Sequence, residues 1–117
     1  MKPDSTFNVT AERIDFRTLG VLYETPVRKL SIMFDGEPVW TAIGDLSHWS
    51  SGKQISDSEK LKIIADLNDW GLARGWRFSV AAKNIQIEDV APEHRELFRI
   101  AEEAARQEAE ERKRIYG

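Results

Sequence analysis

The stretch Ser56–Val80, SDSEKLKIIADLNDWGLARGWRFSV, decides the fold class. Ser56 and Glu59 have the spacing of a capping box, in which each side chain satisfies a free backbone N–H at a helix start. Ile63, Ile64, Leu67, Trp70 and Gly71 then fall on one side at helical spacing, with Glu59, Lys62, Asp66 and Asp69 on the other. That pattern predicts an amphipathic helix over 57–74, laid on a sheet. Gly75 stands where a left-handed C-terminal cap belongs. Trp76, Phe78 and Val80 alternate with Arg77 and Ser79, the period of a strand, here over 76–81.

Upstream, 27–43 reads as a β-hairpin. Leu30, Ile32 and Phe34 alternate with Lys29, Ser31 and Met33, and Asp35-Gly36 offers a type I′ turn. A two-residue turn pairs Phe34 with Glu37, Ile32 with Val39 and Leu30 with Thr41. Trp40 then falls on the less apolar face, and Pro38 marks the second strand as an edge. For Phe7–Phe16, alternation favours a strand over the competing reading of a short helix from Thr10 ending before Gly20. Met1–Ser5 is expected to be a disordered tail.

Downstream, Ile85 and Ile87 suggest a short strand over 85–88. A long charged helix follows over 92–115, with Pro92 in its first turn. Leu97, Phe98 and Ile100 anchor its first half, and alanines at 101, 104, 105 and 109 follow. Acids early and bases late suit the helix macrodipole. Glu102 with Arg106, Glu108 with Arg112, and Glu110 with Arg114 are favourable i,i+4 pairs. The expected fold is therefore α+β: one domain over 1–117, with an antiparallel sheet carrying helices on one face.

Composition narrows function more than it names it. The 117 residues carry a net charge of -3, which disfavours a dedicated nucleic-acid binder. The absence of cysteine excludes disulfides, a cysteine nucleophile and thiolate metal sites, and fits a reducing cytoplasm. Met1–Thr10 has no long apolar run, so neither a signal peptide nor a membrane span is expected there.

The loop Gly44–Ile55, GDLSHWSSGKQI, gathers the residues closest to chemistry. Asp45, His48, Ser50 and Ser51 are neighbours in sequence, but a triad needs the histidine to bridge nucleophile and carboxylate in space. The two histidines, His48 and His94, lie far apart and belong to no H-E-x-x-H pattern. Ser50-Ser51-Gly52-Lys53 lacks the first glycine of a phosphate-binding loop, and Gln54 stands where Ser or Thr would reach magnesium. No catalytic residue, metal site or cofactor is assigned.

The leading expectation is a non-enzymatic, acidic protein-binding module of a bacterial cytoplasm. An immunity or antitoxin-type inhibitor of a basic partner would suit its charge. Its expected contact residues are Trp40, Asp45, His48, Trp49 and Lys53. Trp40 and Trp49 read equally as partly exposed partner anchors and as a loop folding back over the sheet. Two alternatives stand beside it. One is a small enzyme or ligand-binding domain with His48 as base and Asp45 as its orienter. The other is a homodimer joined through the C-terminal helix, by Phe98, Ala101, Ala105 and Ala109, or through the Pro38 edge strand.

Overall fold

The computed structural model describes residues 7–36, 39–43 and 46–116. The expected tail at 1–5, Pro38 and Asp45 lie outside the described residues. The elements are β1 (Asn8–Arg13), β2 (Thr18–Glu24), β3 (Lys29–Asp35), β4 (Trp40–Ile43), α1 (Asp57–Leu72), β5 (Phe78–Ser79) and α2 (Arg95–Tyr116). They form an α+β fold with one five-stranded sheet in the order β1-β2-β3-β4-β5. The first four strands are an antiparallel meander. β5 reaches the sheet after the α1 crossover and lies parallel to β4, so the sheet is mixed.

The inward face is set by alternation. Leu19, Val21 and Tyr23 of β2 face Phe34, Ile32 and Leu30 of β3, and all six are buried. Ile63, Ile64 and Leu67 of α1 close over them. The sheet curls, so that the Arg13 guanidinium at the end of β1 sits 5.3 Å from the Trp40 ring on β4, with two strands between them in the sheet order.

The β3–β4 hairpin departs from its sequence reading. Phe34 faces Ala42 rather than Glu37, and Asp35 faces Thr41. The displacement is by an odd number of residues, which turns the Trp40, Thr41 and Ala42 side chains to the other face of the sheet. Trp40 therefore points inward and is only 4% exposed. What selects this register is tertiary. Trp40 packs on Trp76 at a centroid distance of 6.2 Å, and its N–H donates to the Arg77 carbonyl at 2.8 Å. Gly36 takes a φ of 87°, and its N–H donates to Arg17 O at 3.0 Å.

Three further elements differ from expectation. The strand expected over 76–81 narrows to Phe78–Ser79. The 85–88 segment carries a 3-10 turn, Ile87–Asp89, rather than a strand. Pro92 sits in a separate 3-10 turn, Pro92–His94, and α2 starts at Arg95. The β2 strand, second in the sheet, was not anticipated. The α1 capping box forms as read: Glu59 N–H donates to Ser56 Oγ at 3.2 Å, and Ser56 N–H donates to Glu59 Oε1 at 2.9 Å.

β5 ties the layers together. Phe78 is fully buried, with Phe34 at 4.9 Å, Trp76 at 5.9 Å and Trp70 at 6.1 Å between ring centroids. Ser79 Oγ donates to the Leu97 carbonyl of α2. A Cβ at Gly71 would lie 2.7 Å from Phe78 Cδ2, so only glycine lets α1 come this close. Gly71→Ala is therefore expected to destabilise by about 1–2 kcal/mol: overpacking costs about 1–3 kcal/mol and helix propensity returns up to about 1. Urea denaturation reads this, and Phe78→Leu in the same chain should recover part of the loss through coupling of the two sites. An unchanged or raised midpoint for Gly71→Ala would contradict the close approach.

Candidate functional site

The 46–55 loop folds down onto the core. Leu46, Trp49 and Ile55 are all buried, with Trp49 5% exposed. The turn between the anchors is tight: Trp49 N–H donates to Lys53 O at 2.8 Å, Gly52 N–H to Trp49 O at 2.8 Å, and Ile55 N–H to Ser47 O at 2.8 Å. Gly52 supplies the positive φ of 95° that this turn requires. Ser50 N–H, donating to Lys29 O at 2.9 Å, pins the loop to β3.

Beneath the loop the Trp49 ring stacks on Tyr23 at 6.4 Å, and Tyr23 on Phe7 at 5.8 Å. The Arg28 guanidinium lies 5.7 Å from the Trp49 ring and is ion-paired with Glu59. The Ser56 backbone N–H, helped by the Ser56 hydroxyl and Arg28, holds the Glu59 carboxyl below the usual carboxylate range. The loop, the β2–β3 connection and the α1 cap thus form one linked structure.

Of the expected contact residues, the structure buries Trp40 and Trp49 and leaves His48 and Lys53 exposed. Of the two equal readings of these tryptophans, burial matches packing over the sheet and not partly exposed anchors. The odd hairpin register turns Trp40 inward, and a hydrophobic anchor at Trp49 closes the loop. His48 pairs with Gln54 as an isolated bridge, and its Nδ1 lies 3.1 Å from Ser47 Oγ. His94 is in a different setting: 3% exposed, with Nε2 3.1 Å from Asp69 Oδ1 of α1. The two histidines therefore do not share a site. Among the described residues no group of three His, Cys, Asp or Glu side chains is arranged to hold a metal ion. Nor is any described helix long and apolar enough to cross a membrane.

Among the described residues, Tyr23 is the titratable group shifted furthest from its ordinary range. Its hydroxyl donates to Asp66 Oδ2 at 2.5 Å, and Lys62 Nζ reaches the same oxygen at 2.6 Å. Burial first, and the Asp66 carboxylate second, push the phenol far above its ordinary range. It stays protonated as a structural donor and is unsuited to act as an acid or nucleophile near neutral pH.

A groove of about 650 Å³ opens where α2 leaves the body. One wall is the segment Ala81, Ala82 and Lys83 with Ala42 of β4; the other is the α2 face carrying Ala101, Ala104, Ala105 and Ala109. Glu102, Glu108 and Arg112 line the same α2 wall. α2 is rooted by Leu97, Phe98 and Ala101, all buried, and every described side chain from Glu102 to Ile115 is exposed. The alanine face of α2 was legible in the sequence. The opposing Ala81-Ala82 wall was not, because nothing local in those residues says that they meet α2.

The chain matches no known family model, and no curated protein or solved structure matches it.

Two measurements check this geometry. Trp49→Ala should cost about 3–5 kcal/mol in urea denaturation, as core Trp truncations do, whereas Lys53→Ala should stay within about 0.5 kcal/mol. A Trp49→Ala loss below about 1 kcal/mol would place the ring outside the core. The second concerns pH. The folded phenol of Tyr23 holds its proton more tightly than the unfolded chain's, so its stabilisation is fully present below about pH 10 and fades as pH rises from there towards the folded value. Wild-type stability should therefore fall more steeply than that of Tyr23→Phe between about pH 9.5 and 11.5. Parallel slopes would remove Tyr23 from the account.

Proposed function

We propose that this protein is a non-enzymatic protein-binding module whose docking face is the α2 groove. One observation carries the reading. α2 continues for several turns past its last buried residue, and its apolar side continues with it as one wall of a concave, alanine-lined cleft. A helix whose inward face runs on beyond its own core presents that face to something else. A cleft of this shape suits a helix from a partner, anchored by side chains at i, i+3, i+4 and i+7. Small residues on both walls favour close approach of the two backbones.

The 46–55 loop supports a different role. Its aromatic and aliphatic anchors are consumed by the core, so it acts as a clamp over the sheet. Its exposed residues, His48 and Lys53, remain contacts only for a partner that also spans the loop. The net charge of -3 favours a basic partner. An inhibitor or immunity-type protein is the form this reading takes in that case.

A photoreactive phenylalanine analogue placed singly at Ala105, Ala109 and Lys53 tests the face. Irradiation in the cell should yield a discrete protein adduct, identified by mass spectrometry, from positions 105 and 109 and none from position 53. Adducts from position 53 alone would return the docking face to the loop.

A further inference from the structure

The groove carries its own candidate occupant. Resting on the reading of this cleft as a protein-docking face, we propose that it is filled by the projecting part of α2 from a second copy of the chain, running antiparallel. The contact is isologous, each copy giving its helix tip and offering its groove.

On the α2 face that continues from Leu97 and Phe98, the residues are Ala101, Ala105, Glu108, Arg112 and Ile115, alternately four and three apart. That is the a/d spacing of a helix pair. In an antiparallel pair, with a positions meeting d positions, Ala105 lies opposite Ile115 of the second copy and Glu108 opposite its Arg112. The two-fold axis repeats both contacts. A parallel pair would set Glu108 on Glu108 and Arg112 on Arg112, which repel. The charge order is thus self-complementary in one orientation only.

Shape agrees with charge. Ile115, near the free end of α2, is 67% exposed. Opposite Ala105 its branched side chain arrives at the middle of the alanine-lined stretch, where the small side chains leave room for it. The pairing of Glu108 Oε1 with Arg112 Nη2 at 3.1 Å within one helix is exchanged for the same pairing between two. Every described α2 side chain from Glu102 to Ile115 is exposed, so this wall of the groove is open to an entering helix. Four seam layers make a small interface, well under about 1,200 Å², the range of transient complexes. The expected dissociation constant is on the order of 10 to 100 µM.

Analytical ultracentrifugation of the full chain from about 5 to 500 µM, spanning that expected constant, tests this, with far-UV circular dichroism confirming that each variant keeps its helix. Wild type should pass from monomer to dimer. Glu108→Arg and Arg112→Glu should each weaken association by at least about tenfold, since each sets like charges together. An equimolar mixture of the two single variants, and the double variant, should both associate like wild type. Orientation is read separately by disulfide trapping, which the cysteine-free sequence makes clean. A mixture of Ala105→Cys and Ile115→Cys chains should cross-link, and neither alone should. Wild type that remains monomeric throughout, or single variants that associate as wild type does, overturns the second-copy assignment. If it is overturned while photoadducts at positions 105 and 109 carry a different protein, the docking face stands and only its occupant changes. If those positions capture nothing at all, the docking face itself falls.

Discussion

The packing of Phe78 against Gly71 is the contact on which the rest of the structure depends. Phe78 belongs to a two-residue strand, too short to hold a sheet edge by its own hydrogen bonds. Its ring supplies what the ladder does not. It meets the β3 core through Phe34, the end of α1 through Trp70, and Trp76, which in turn packs on Trp40. The neighbouring Ser79 fastens the first turns of α2 through the Leu97 carbonyl. Four elements are thereby located by two adjacent residues. The missing Cβ at Gly71 is the condition for that geometry, since any side chain there would hold α1 away from the ring.

This dependence explains which parts of the fold were legible in the sequence. The α1 start was, because a capping box is a contact among four consecutive residues and needs no tertiary partner. The hairpin register was not. Asp35-Gly36 favours a two-residue turn locally, but that turn would leave Trp40 on the outer face. The longer connection buries Trp40 against Trp76, and burying a large aromatic outweighs a preferred turn type. The β2 strand was hidden for a related reason. Leu19, Val21 and Tyr23 alternate, but Leu22 between them is also apolar, and Gly20 reads as a breaker. Gly20 serves instead to admit the Ile14 side chain, which would lie 3.1 Å from a Cβ at that position.

The candidate site divides along the same line. Exposure of an aromatic is a tertiary property, so neither Trp40 nor Trp49 could be placed by its local pattern. Once folded, both rings belong to the core, and each carries an arginine near its face, Arg13 and Arg28. The α2 face was legible because amphipathicity is written in the helix period alone. Its partner wall at Ala81 and Ala82 arises from the path of the chain after β5, which follows from Phe78 and not from those alanines.

The same root governs how well α2 can act as a binding element. An isolated helix of the length that projects beyond Ala101 would be marginal in water, because nucleation is costly. Here nucleation is already complete. Leu97 and Phe98 are buried in the body, His94 stands against Asp69, and the Arg95 guanidinium bonds Val90 O at 2.9 Å and Glu88 O at 3.1 Å. Extension past that root needs only propagation, favoured by alanines and by the Arg106–Glu103 and Arg112–Glu108 pairs. A partner docking as proposed would therefore meet a helix already formed, and less ordering entropy would oppose the association than if the segment folded on contact. The two-residue strand thus bears on the proposed binding as well as on folding: the ring that locates α1 and the hydroxyl that fastens α2 also set how much order α2 holds on its own.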